Sequence, residues 1–162
     1  MSKLKSFLKY WLPVVICMAV IFSASGDTKS ASRSSRLIEP FIRWFFPDAS
    51  QDQIWPIVMV VRKCAHLTEY AVLALLLWHA FRGLSKQAEG WSWRVAACAW
   101  LGVVLYAITD EVHQAFVPNR MGSPWDVLLD SIGGAAGLLA LWAFGRWRKR
   151  WKPMSPKPGS ED

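Results

Sequence analysis

Four apolar runs decide what this chain can fold into: roughly Phe7 to Ser25, Ile57 to Phe81, Trp93 to Phe116 and Trp125 to Gly145. A helix needs about 20 residues to cross about 30 Å of hydrocarbon, and each run meets or nearly meets that length. With 53% apolar residues, eleven tryptophans and 19% charged residues over 162 positions, the chain has the make-up of a small polytopic membrane protein, not of a soluble domain. The expected fold is all-α: an integral membrane four-helix bundle over residues 1–145, with a short interfacial helix in the first external loop. A basic tail, residues 146–162, is expected to be disordered and cytoplasmic.

The first run also reads as a signal peptide, because Lys3, Lys5 and Lys9 precede its apolar core and Ser23-Ala24-Ser25 resembles a cleavage site. Orientation argues against cleavage. With the N-terminus inside, twelve of the nineteen basic residues fall on the inner side, among them Lys3, Lys5, Lys9, Arg82, Arg94 and the run Arg146 to Lys152. That excess places a four-span chain in the cytoplasmic membrane with both termini cytoplasmic. The net charge of +7 is then mostly an inner-surface property suited to anionic lipid. No nucleic-acid partner is expected, since R-W-R-K-R-W directly after an apolar span is an ordinary anchoring pattern. Cys17, Cys64 and Cys98 all lie inside the runs without CxxC spacing and read as small buried hydrophobes.

Between the first two spans, Leu37, Ile38, Phe41, Ile42, Trp44, Phe45 and Phe46 are interleaved with Arg36 and Arg43. The pattern predicts a short helix, bent at Pro40, lying in the outer interface or capping the bundle. The second long helix is expected to start near Ser50. It carries Arg62, Lys63, His66, Glu69 and Tyr70 within an arc of roughly 120° before turning purely apolar.

The most expensive stretch in a membrane setting is Asp110 to Asp130, D-E-V-H-Q-A-F-V-P-N-R-M-G-S-P-W-D-V-L-L-D. Four carboxylates, a histidine, a glutamine and an arginine stand there between two apolar runs, and such residues mark functional sites by default. Asp110 lies about 26 Å along the third span, level with the polar end of the second. Asp110, His113 and Gln114 share a face, with Glu111 at its margin. On the fourth span Gly133, Gly134 and Gly137 lie near the Asp126/Asp130 side, where they would let another helix approach closely.

These residues carry a resemblance. K-x-x-H-x-x-E-Y-A-x-L-A from Lys63 to Ala74, then D-E-x-x-Q-x-F-x-P-x-R-x-G-S-x-x-D from Asp110 to Asp126, then a glycine-bearing last helix, resemble in order the VanZ-like membrane protein family. Phe22-Ser23-Ala24-Ser25 fits as well, so that the resemblance covers roughly Ile21 to Gly137. Asp130 departs from the family, which usually has asparagine there. The resemblance implies a membrane protein of the bacterial cell envelope; the family is named for a protein linked to teicoplanin resistance.

Two function classes stay open. In the first, an outer-leaflet polar pocket binds a lipid headgroup, a cell-wall precursor or a glycopeptide-like amphiphile, with Lys63, His66, Glu69, Tyr70, Asp110, Glu111, Gln114, Arg120, Asp126 and Asp130 as ligand-binding candidates. Arg62, Lys63 and Arg120 would meet an anion. In the second, an intramembrane hydrolase or transferase acts on a lipid-linked substrate, with His66, Glu69, Asp110, Glu111 and His113 as catalytic candidates. His66, His113 and the acids have the donor types for a divalent metal, but no HExxH-like spacing selects one, so no metal or cofactor is assigned. The plainer alternative is that Lys63, Glu69, Asp110 and Arg120 merely pin the helices in register, that Tyr70 is a hydrogen-bonded core residue and that the tryptophans form interface belts. The sequence leaves the oligomeric state open.

Overall fold

A computed structural model describes residues 3–26, 30–84, 90–118 and 122–151. They form five helices, α1 (Lys3–Gly26), α2 (Ser30–Phe45), α3 (Gln51–Leu84), α4 (Trp93–Ala115) and α5 (Pro124–Trp147), with no strand among the described residues. α1, α3, α4 and α5 are each long and apolar enough to cross a membrane. They alternate in direction, so that the start of α1 meets the end of α3, Tyr10 against His79 and Trp11 against Phe81. Both ends of the described chain therefore lie at one end of the bundle, the terminal end. α2 and the α4–α5 turn lie at the other, the polar end.

Small residues set how closely the helices sit. A Cβ at Gly133 would lie 2.6 Å from the Leu67 carbonyl oxygen and one at Gly137 2.9 Å from that of Ala71, so that α5 rides on the backbone of α3. A Cβ at Gly134 would meet Val103 of α4 at 2.8 Å. The glycine face expected from the sequence is thus the seam by which α5 joins both neighbours, as small residues commonly do where lipid leaves no hydrophobic drive between helices. Tyr70, Leu73 and Ala74 of α3, Ala99, Val103 and Ala107 of α4, and Leu138 of α5 fill the interior. α1 adds only a stripe, Val14, Ile21 and Ser25, while Val15, Ile16, Val20 and Phe22 face outward. Its buried Ser25 belongs to the packed bundle.

The helices start where local chemistry allows. Ser92 accepts the Val95 N–H at the head of α4, and Ser123 accepts that of Trp125 with Pro124 at the first position of α5. α1 begins four residues before the apolar run and holds Pro13 in its third turn, deeper than the one turn expected, and so gives up one backbone hydrogen bond there. α3 has 34 residues, about 51 Å at 1.5 Å per residue, well beyond about 30 Å of hydrocarbon. The excess lies at its Gln51 end, where Ile54 and Val58 pack against Ile38 and Ile42 of α2. α2 spans 16 residues with Pro40 inside. It leaves Leu37, Phe41, Trp44 and Phe45 exposed on one face, while Glu39 on another face accepts from Arg43 at 2.9 Å and from Gln51 at 2.6 Å. These donors hold the Glu39 carboxyl below its ordinary range. Interfacial helix and docked cap, posed as alternatives in the sequence, describe two faces of one element.

Aromatic rings close the terminal end. Trp78 stacks on Trp91 at 5.6 Å, Trp151 meets both at 5.9 and 5.6 Å, and the Arg82 guanidinium lies 4.9 Å from the Trp78 ring. The Trp151 indole N–H donates to the Trp142 carbonyl at 2.9 Å, drawing the chain just past α5 back onto the bundle. Residues 152–162 lie outside the described residues.

Candidate functional site

At the polar end the side chains sort into a buried knot and an open cleft. The knot is centred on Asp110, which is 1% exposed. Its Oδ2 accepts the Ser25 hydroxyl of α1 at 2.7 Å, the Gln114 amide at 3.1 Å and the Tyr70 hydroxyl of α3 at 3.3 Å. One carboxylate oxygen thereby ties three helices, and the other, Oδ1, is buried without a hydrogen-bond partner. Tyr70 is fully buried and faces this knot.

The cleft holds about 100 Å³. α3 supplies one wall with Met59, Arg62, Lys63 and His66; α4 and α5 supply the other with Glu111, Gln114, Asp126, Leu129 and Asp130. Cationic and imidazole groups thus face carboxylates across the opening. Gln114 belongs to both parts, lining the cleft while it donates to Asp110. Lys63 Nζ pairs with Asp126 Oδ1 at 3.2 Å, but the two side chains are 55% and 41% exposed, so the pair is worth about 1 kcal/mol or less and yields easily to another ion. Glu111 is held in place: its Oε2 accepts the Ser123 N–H at 2.7 Å, fixing the turn into α5. Asp130 is buried at 4% exposure. In a poorly hydrated cleft three carboxylates so arranged call for protons, cations or water between them.

The structure places the remaining candidates elsewhere. His66 Nδ1 lies 3.6 Å from Glu69 Oε2, beyond hydrogen-bond reach, and Glu69 faces a separate groove between α1 and α3. His113 stacks on Phe22 of α1 at 4.0 Å and 24°, away from the cleft. Arg120 lies outside the described residues; of the other members of the register-pinning network posed above, Lys63 pairs with Asp126, Asp110 with Ser25, Tyr70 and Gln114, and Glu69 faces the α1/α3 groove. Among the described residues no three His, Cys, Asp or Glu side chains are grouped to hold a metal ion.

Two participants escaped the sequence reading. Ser25, read above only as part of a cleavage-like site and of the family resemblance, is the shortest contact to Asp110; its helical phase, shared with the buried Val14 and Ile21, was the available signal. Tyr106 donates to the Met18 carbonyl at 2.6 Å and so fastens α1 to α4 below the knot. No local pattern marks that bond, because any carbonyl can accept it.

A model of the VanZ/LLP1 family matches residues 10–145. Neither the curated proteins nor the solved structures include a match to the chain.

Proposed function

The chain belongs to the VanZ/LLP1 family, and on that premise we propose that it is a cell-envelope protein whose cleft binds the anionic headgroup of a lipid or lipid-linked cell-wall precursor. It would sit in the cytoplasmic membrane with the terminal end inside, which puts the cleft at the outer leaflet. The observation that carries this reading is the cleft itself: Arg62, Lys63 and His66 line one wall of a cavity that stands at membrane level, and Lys63 is held only by an exposed, easily exchanged partner. Size supports a headgroup over a whole antibiotic. About 100 Å³ is the share of about three liquid waters, room for a phosphate but not for a glycopeptide, which could present one small group at most. A role in resistance would then run through the precursor or lipid.

One observation favours a second reading, that of a hydrolase or transferase on a lipid-linked substrate. His66 and Glu69 are one turn apart with 3.6 Å between Nδ1 and Oε2, a distance that can tighten into a base and its orienting carboxylate once substrate is bound. Among the described residues no serine or cysteine lines the cleft, so on this reading water would be the nucleophile for a hydrolysis.

Native mass spectrometry of the purified protein separates these readings. Headgroup binding predicts retained anionic lipid that Lys63→Gln and Arg62→Gln strip away and that stays chemically intact on incubation. Turnover of the added lipid, abolished in His66→Ala, would establish the enzyme instead. Equal lipid retention by wild type and both cation variants would remove the proposal.

A further inference from the structure

A second opening meets the cleft from the side. Between α1 and α3 lies a groove of about 450 Å³ walled by Cys17, Val20, Ile21, Ala65 and Val72, with Thr68 and Glu69 as its polar members. The Thr68 hydroxyl is turned to its own helix, on the Cys64 carbonyl at 2.8 Å. Glu69 therefore stands as the polar group offered to an otherwise apolar trough. Its side chain is 34% exposed; of its two oxygens Oε2 is buried without a hydrogen-bond partner, 3.6 Å from His66 Nδ1, which leaves Oε1 to the trough. With α3 entering the membrane at its other end near Gly83, Glu69 is about 21 Å up the helix, in the outer third of about 30 Å of hydrocarbon. A carboxyl group at that depth is costly unless something meets it.

The order along α3 says what would meet it. Arg62, His66 and Glu69 fall on one stripe within about 60°, with Arg62 nearest the polar end and Glu69 deepest. His66 lines the cleft and Glu69 the groove, so the two openings adjoin through that pair. Read from surface to interior, the stripe presents a cation for a phosphate and then an acceptor for a hydroxyl; the trough runs beside it from Ala65 to Val72, about 10 Å along the helix, with Glu69 between its two ends.

Building on the headgroup reading above, we propose that the bound amphiphile is a single-chain phospholipid with a free glycerol hydroxyl. Its acyl chain lies in the α1/α3 groove, its hydroxyl donates to the Glu69 carboxylate, and its phosphate meets Arg62 and Lys63. A diacyl lipid lacks the hydroxyl, and only one of its two chains would lie in the groove.

The test titrates purified protein in detergent by native mass spectrometry with four probes: palmitoyl lysophosphatidic acid, its analogue with hydrogen in place of the hydroxyl, dipalmitoyl phosphatidic acid, and chainless glycerol phosphate. Wild type is expected to bind the lysolipid at least about tenfold more tightly than the deoxy or diacyl lipid, a margin of 1.4 kcal/mol. Glu69→Leu should erase the preference over the deoxy analogue while leaving phosphate-dependent binding in place. Val20→Trp, which fills the trough from the lipid-facing side of α1, should reduce the lysolipid to the affinity of glycerol phosphate. Equal binding of lysolipid and deoxy analogue by wild type overturns the proposal, as does a lysolipid preference that survives both variants. Loss of all phosphate binding in Lys63→Gln bears on the headgroup reading alone. If wild type binds glycerol phosphate but shows no gain from chain and hydroxyl, the cleft stands and the single-chain assignment falls.

Discussion

Replacing Asp110 with alanine would remove the acceptor shared by Ser25, Gln114 and Tyr70. Gln114 can turn to the cleft, which it lines, and find water; Ser25 and Tyr70 are fully buried and cannot. Hydrogen bonds between membrane helices average about 0.6 kcal/mol in double-mutant cycles, so the two that join different helices, from Ser25 and Tyr70, set a floor near 1 kcal/mol. Stranding the buried Tyr70 hydroxyl at about 1–3 kcal/mol, with the Ser25 bond lost as well, gives an upper figure near 4 kcal/mol. At about 2–4 °C per kcal/mol for a chain of this size, Asp110→Ala should melt about 2–16 °C below wild type in detergent. Asparagine is the discriminating substitution. Its carbonyl can occupy the Oδ2 position and keep all three donors, while its amide falls where Oδ1 now has no partner, so that Asp110→Asn should cost about half as much. Ser25→Ala should be largely silent in the Asp110→Ala background, the two sites being coupled by about 0.6–1.7 kcal/mol. A melting point for Asp110→Ala within 2 °C of wild type, or strict additivity with Ser25→Ala, would refute the view that this carboxylate ties the helices together.

Gly133→Ala, whose Cβ would lie 2.6 Å from the Leu67 carbonyl oxygen, should cost about 1–3 kcal/mol because backbone cannot step aside cheaply, whereas Gly102→Ala, which meets only the end of Leu77 at 3.1 Å, should be near neutral; parallel thermal melts decide. Asp126→Asn should shift stability by less than about 1 kcal/mol, the Lys63 pair being exposed, while raising anionic-lipid retention by freeing Lys63; a marked loss of stability would make Asp126 a structural residue. Because Glu39 is held below its ordinary value of 4.5 by Arg43 and Gln51, what it contributes to docking α2 is present above that value and is lost as pH falls through the depressed one. Quenching of Trp44 should therefore change on acidification below about pH 4.5 in wild type and not in Glu39→Gln. Reporters fused after Lys152 should read cytoplasmic and one near Asn119 external, the reverse at Asn119 removing the outer-leaflet cleft.

The four spans were legible because about 20 apolar residues in a row leave little choice, and the glycine seam because three small residues fell on one face beneath two acids. Depth along each helix also carried over: Lys63, His66, Asp110 and Asp126 do stand at one end of the bundle. What depth could not supply was azimuth between helices. His113 and Gln114 are neighbours in sequence, yet one turns to Phe22 of α1 and the other to the cleft, a split that depends on where α1 docks. The Lys63–Asp126 pairing was equally hidden, since Glu69, Asp110 and Asp126 are equivalent acids until α5 settles onto the α3 backbone at Gly133. Trp151 sat in what reads as a charged tail, and its return to Trp78 and Trp91 follows only from the shape of the bundle end.

That indole closure gives the molecule a direction. Below the Asp110 knot the interior passes through Leu73, Ala74, Leu77, Ala99 and Val103 to the stacked rings of Trp78, Trp91 and Trp151. The polar groups nearest this passage, the Tyr106 and Ser131 hydroxyls, are spent on the Met18 and Val127 carbonyls, so an ion or headgroup admitted at the cleft would meet about 20 Å of hydrocarbon-like packing before the far side.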